Sequence, residues 1–205
     1  MEEFDLYTEM YAKLPNLILA FHGCNSETYN NVIKNNQPLN KSLNRYDWLG
    51  NGIYFWENSY QRAFEWAQSH YPKNPAVVGA VIDLGNCLNL TDYKSCEILK
   101  LGYELLVSDY RNAGKELPKN KRIKSSRDVL LRDLNCAVIQ EIHQFNKEHK
   151  LPEYDSVRGL FFEGEPVFPG SCIYEKTHVQ VCVTNPNCIK GYFTPLKKDS
   201  EYIIP

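Results

Sequence analysis

Long apolar runs are missing from this chain: none approaches the roughly 18 residues that a membrane-crossing helix needs, so no such helix is expected. The first fifteen residues, MEEFDLYTEMYAKLP, are acidic and have no basic segment ahead of an apolar one. That excludes a standard secretory signal and makes a cytoplasmic location the expectation. Net charge is almost absent too, with 23 Lys and Arg against 25 Asp and Glu leaving −2. No global field therefore draws the chain to nucleic acid or to an anionic membrane, and such a partner must be met by a local patch. Paired cysteines are also lacking. The 7 cysteines are odd in number, widely spread and never spaced as CxxC. Most lie in apolar runs such as NCLNL and VQVCV, where a free thiol behaves as a small hydrophobe. Neither a disulfide framework nor a metal site is expected.

What is present is enough apolar material for one large core. The 205 residues are 43% hydrophobic and 13% aromatic, which fits a single domain over 1–205 better than two small ones. Internal repeats, low-complexity tracts and linkers are not evident. Five segments read as strands: LILAFHG (17–23), GIYFWE, PAVVGAVIDLG (75–85), then RGLFFEG and THVQVCV, with IKGYFTPL as a sixth near the end. Between them, Ser26 is placed to cap a short helix, and Asn58 or Ser59 to cap a second one carrying Tyr60, Ala63, Phe64, Ala67 and Tyr71 at helical spacing. Two further helices are expected around 93–110 and 126–148, joined by the polar loop at about 111–127. Strands cluster at the end and no regular strand-helix alternation exists, so α+β is favoured over a doubly wound sheet.

Several residues carry possible chemistry. His22 and Gly23 close the first strand, joining a side-chain donor to a bare backbone; a lone strand-end His is more often structural. Gly50 and Gly52 precede Tyr54 and permit positive φ or close approach, although a tight turn feeding a core strand accounts for them as well. In THVQVCV, alternation sets Val179, Val181 and Val183 on one face and His178, Gln180 and Cys182 on the other. A glutamine among valines needs a hydrogen-bond partner, from protein or ligand.

Taken together, LILAFHG, then SLNRYDWLGNGIYFWE with its following helix, then THVQVCVTNPNCIKGYF resemble the ADP-ribosyltransferase superfamily, in the branch related to poly(ADP-ribose) polymerases and diphtheria toxin. The shared features are a His-Gly ending the first core strand, a Gly-x-Gly-h-Tyr-Phe strand followed by a helix, and a late strand bearing Glu, Asp or Gln. The resemblance implies an α+β fold of split antiparallel sheets with flanking helices, spanning a motif-bearing core at about 17–196, and NAD as co-substrate without a metal. By that resemblance His22 bonds a ribose hydroxyl, Gly23 holds the nicotinamide carboxamide, and Tyr54 stacks on the nicotinamide ring. Trp66 is preferred over Phe64 for the opposite face of the ring, because Phe64 lies on the helix stripe expected to be buried. Gly52 belongs to the same pocket, and Ser42 touches the ribose region.

Cleaving the nicotinamide-ribose bond develops positive charge on the sugar, which the site must stabilise. Gln180 stands where the branch commonly has Glu; it can bond a ribose 2'-OH but brings no charge, which argues for mono-ADP-ribosylation rather than chain elongation. An acidic residue from FFEGEPVFPGS, Glu163 or Glu165, could deprotonate the attacking nucleophile; a solvated turn is an equal reading of that segment. Glu175 and His178 are the next candidates for that role. Lys115, Lys119, Lys121, Arg122, Lys124 and Arg127 form a basic loop that could meet nucleic-acid phosphates, although no aromatic residue there supports base stacking. The expected acceptor is thus a macromolecule, protein or RNA or DNA. A small free-standing domain suits a bacterial toxin or anti-phage effector, with an antitoxin or inhibitor as partner. NAD hydrolysis and a non-catalytic NAD or ADP-ribose-binding module are the competing readings.

Overall fold

The computed structural model describes residues 17–122 and 129–204. Lys124 and Arg127 of the basic loop lie outside them. The strands are β1 (Leu17–Asn25), β2 (Ile53–Glu57), β3 (Pro75–Asp83), β4 (Cys87–Asn89), β5 (Asn120–Lys121), β6 (Leu131–Arg132), β7 (Ser156–Phe161), β8 (His178–Val183) and β9 (Ile189–Phe193). The helices are α1 (Ser26–Asn35), α2 (Tyr60–His70), α3 (Tyr93–Asn112) and α4 (Asp133–Glu148). The class is α+β, as expected. Seven strands form one sheet in the order β4-β7-β8-β2-β1-β3-β9, and β5 with β6 form a separate pair. The sheet is mixed and not wholly antiparallel, because β4 runs parallel to β7.

Directly opposed residues share a sheet face, so the registers assign every side chain. One face carries Ala20, Phe55, Val78, Ala80, Val181 and Val183, which are buried with Val32 of α1 in one core cluster. On the other face, Val157, Cys182 and Tyr54 form a row across β7, β8 and β2, followed by Gly159, Gln180 and Trp56. This second face is covered in two parts. Leu106 of α3 and Val138, Ile139 and Ile142 of α4 pack over Val157 and Cys182, while Ala63, Phe64 and Trp66 of α2 pack over Phe21, Trp56 and Val77. Gln180 and Tyr54 lie where these two covers meet.

Local chemistry accounts for the boundaries, with some corrections. Asn25, not Ser26, caps α1: its side chain accepts from Thr28 N at 2.7 Å. Ser59 occupies the cap position of α2 without a side-chain bond. Helix α4 starts at Asp133 because Leu131–Arg132 is drawn into pairing with Asn120–Lys121. On α2 only Ala63 and Ala67 are fully buried, while Phe64 is half-buried and Tyr60 is 45% exposed, so the buried stripe is narrower than its spacing predicts. Among the described residues, no helix is long and apolar enough to cross a membrane, and no group of three or more His, Cys, Asp or Glu could hold a metal ion. All seven cysteines are free.

Candidate functional site

The central feature is a place where two paired strands part. Strand β1 pairs with β3 along its whole length, from Leu17↔Asp83 to Asn25↔Pro75. Its pairing with β2 is confined, among the described residues, to Ala20↔Glu57 and Phe21↔Trp56, with Asn58 N donating to Leu19 O at 2.9 Å. The next rung would set Gly23 against Tyr54. There the Tyr54 carbonyl accepts instead from Nδ1 of His22, at 2.8 Å. A side chain thus replaces a ladder bond and the strands diverge. Because strand alternation repeats every second residue, the N–H and C=O of Gly23 point to the same side as those of Phe21, toward β2, with no paired rung to receive them.

The carbonyl partner requires His22 Nδ1 to carry the proton, and burial lowers its pKa below the ordinary value. Neutral His22 therefore presents Nε2 as an acceptor, not the donor its position alone had implied. Gly23 has its own steric reason: a Cβ there would overlap the Ala63 carbonyl of α2 and come within 3.2 Å of the Trp66 ring. Trp66 consequently lies beside Gly23. It also faces Trp56, with ring centroids 5.9 Å apart, and stacks on His70 at 4.0 Å.

Tyr54 is pinned at both ends of its hydroxyl, donating to Gly50 O at 2.8 Å and accepting from Leu49 N at 2.9 Å. Burial, with smaller contributions from nearby groups, pushes its pKa well above that of a free phenol. The loop that holds it is a tight structure in its own right. Gly50 has φ of +82°, donates to Asp47 O at 2.8 Å and would clash with Gln140 and Ile139 if it carried a Cβ. At Gly52 a Cβ would approach Cys182 Sγ within 2.5 Å, so this glycine allows β2 to lie close against β8. Ser42 and Gly52 exchange backbone bonds at 2.8 and 3.1 Å, tying Ser42 to the base of the same loop.

Gln180 sits opposite Trp56 in the β2–β8 register. Its Oε1 accepts from Trp48 Nε1 at 2.6 Å, and its Nε2 meets His178 Nε2 at 3.0 Å. His178 donates from Nδ1 to Lys176 O at 2.6 Å and stacks on Phe161 at 5.4 Å. With both ring nitrogens engaged, His178 is not placed to act as a base. Trp56 Nε1 and Arg62 Nε are buried without a partner among the described residues.

Glu163 is half-buried, and its Oε2 accepts from Arg62 Nη2 of α2 at 2.6 Å; Arg62 also pairs with Glu65. The segment before β8 is therefore tethered to the helix that carries Trp66. Glu165 is exposed, its carbonyl accepting from Glu175 N at 3.0 Å. His22 shares the Ala20 and Phe55 face, whereas Tyr54, Trp56 and Gln180 share the opposite one. The structure thus joins His22 to the others through the Tyr54 main chain at the parting strands. Trp48 and Arg62 were not legible as site residues; the one signal was a tryptophan in RYDWLG whose indole N–H needs a partner when buried. A separate pocket of about 360 Å³ lies between α1 and β9, lined by Val32, Ile33 and Gly191 among others. No protein-family model matches the chain, and neither a curated protein nor a solved structure does.

Proposed function

We propose that the chain is a mono-ADP-ribosyltransferase that binds NAD where β1 and β2 part and transfers ADP-ribose to a macromolecule. The observation that carries this reading is the replacement of the Gly23–Tyr54 rung by the His22 imidazole, which leaves the Gly23 backbone facing β2 without a ladder partner. An amide group offers one donor and one acceptor, as the nicotinamide carboxamide would require of Gly23. Trp66 beside Gly23, and Tyr54 opposite Gly23 in the β1–β2 register, would supply two aromatic groups for a planar leaving group. His22 Nε2 would accept from a ribose hydroxyl, and Trp56 Nε1, without a partner among the described residues, is a further donor on the opposite face, which Tyr54 shares.

In the reaction the C1'–N bond breaks, its electron pair goes to the nicotinamide nitrogen, and the acceptor nucleophile bonds to C1' while its proton leaves to a base. Gln180 would bond the 2'-OH as charge develops. Glu163 is the favoured base, because it is half-buried and Arg62 holds it beside α2, whereas Glu165 is exposed. As a toxin-like effector the enzyme would be held in check by an inhibitor protein.

The test is incubation of the purified protein with labelled NAD and cell lysate, followed by separate protease, RNase and DNase treatment. Label bound to material that one treatment destroys supports transfer and names the acceptor class. Release of free ADP-ribose with no label transferred would make the protein an NAD glycohydrolase. Tight binding with neither would leave a non-catalytic module.

A further inference from the structure

The Gln180 carboxamide is gripped on both sides. Trp48 donates its indole N–H to Oε1, and the Nε2 of His178 is 3.0 Å from the amide nitrogen. Since His178 already donates from Nδ1 to a carbonyl, its Nε2 is an acceptor when the ring is neutral, so the amide N–H donates to it. These two bonds decide which end of the amide is which. They leave one N–H on Nε2 and one lone pair on Oε1 for anything else. The grip is itself built in. At Gly159, the β7 neighbour of Gln180, a Cβ would come within 2.5 Å of the Trp48 ring, so the glycine is the space into which Trp48 fits. Phe161 then packs edge-on against Trp48 at 5.3 Å and flat against His178 at 5.4 Å.

We propose that Trp48 and His178 are positioning residues that hold the Gln180 carboxamide in one orientation for the 2'-OH of the NAD ribose, and that a neutral His178 selects an amide at this place over a carboxylate. This rests on the reading of the chain as an NAD-dependent transferase. A carboxylate at position 180 would set its lone pairs against that of His178 Nε2, a repulsion relieved only if the ring took up a proton. The groups facing His178 are Arg62 from α2, Glu163 from the segment after β7, Arg132 from β6 and the Lys176 carbonyl. Burial holds His178 below the ordinary histidine value, opposed by the bond to the Lys176 carbonyl and more weakly by Glu163, while Arg62 and Arg132 lower it further.

Two measurements test this. The first needs no activity: the His178 ring is titrated by NMR in the wild type and in Gln180→Glu. The expectation is an Nδ1-protonated ring titrating below 6.5 in the wild type and displaced upward in the variant. An unchanged titration would overturn the contact. The second is NAD turnover by His178→Phe, which keeps the stack on Phe161 and removes the acceptor, and by Trp48→Phe. Each should lower kcat about tenfold while KM for NAD stays within about twofold, and His178→Gln, which restores an acceptor, should recover part of the loss. Wild-type kcat should fall as pH drops through the His178 titration, and that step should be lost in His178→Phe. Unaltered kcat in both aromatic variants would refute the positioning role. A wild type that neither binds nor consumes NAD would overturn the transferase reading, while the NMR titration would still decide whether the grip exists.

Discussion

Tyr54 uses its hydroxyl to close the loop from which its own strand emerges, so its ring orientation is set before any ligand arrives. Tyr54→Phe should therefore lower stability by about 1–3 kcal/mol, the usual effect of losing bonds to a partly buried hydroxyl, while keeping NAD affinity within a few-fold by calorimetry. Tyr54→Ala should abolish NAD binding, because it removes the ring itself. Gly23→Ala should weaken both folding and NAD binding, since the added methyl would drive α2 and Trp66 away from β1. His22 and His178 both have folded pKa values below the unfolded 6.5, so the unfolded chain binds more protons between the two values. Stability should consequently rise with pH through that window, level off above about 6.5 and be lowest once both rings are forced to charge. Thermal melts from pH 5 to 8 would check the sign. Much of this was legible in the chain: a histidine, a tyrosine and a glutamine at strand positions can be read from order and alternation. Which nitrogen of His22 is free, and that Tyr54 O is its partner, could not be, because both depend on where one strand leaves another.

At the scale of elements, the segment between β7 and β8 is fastened to α2 by the Arg62–Glu163 pair, whose side chains are only 15% and 24% exposed. Truncating Arg62 removes the guanidinium from both Glu163 and Glu65 and leaves Glu163 half-buried without it, so Arg62→Ala should cost about 1–3 kcal/mol and should impair transfer more than NAD binding. Glu163→Gln should leave NAD hydrolysis intact and depress transfer to the macromolecule; equal losses in both assays would remove Glu163 as the base. Two segments were readable: β8, because its alternating valines commit one face to the core, and β3, because it is a long Val-rich run bounded by Pro and Gly and buried on both faces. Short elements were not. β4 is a three-residue strand, and its parallel pairing with β7 spans a separation that local pattern does not encode. The displacement of the α4 start to Asp133 has a similar cause, since Leu131–Arg132 answers to Asn120–Lys121 and not to its own helical neighbours.

For the whole molecule, the mixed sheet is a spine with α1 on one face and α2, α3 and α4 sharing the other, and the proposed site falls at the seam between those covers. Composition and element order were enough to reach the α+β class, whereas the seam arises from how three distant segments register against one another. Lys115, Lys119, Lys121 and Arg122 are all exposed, on a connection remote in sequence from Tyr54 and Gln180. If the acceptor is nucleic acid, transfer should fall steeply between about 50 and 200 mM salt while NAD hydrolysis changes little; a protein acceptor should show a shallower dependence. The central claim is that one NAD molecule is held where β1 and β2 part, between the Tyr54 and Trp66 rings. Calorimetric titration of NAD into the wild type, Tyr54→Ala and Trp66→Ala tests it most directly. The wild type should bind NAD at one site per chain, and each variant should lose tenfold or more in affinity; unchanged affinity in both variants would contradict a site between these rings.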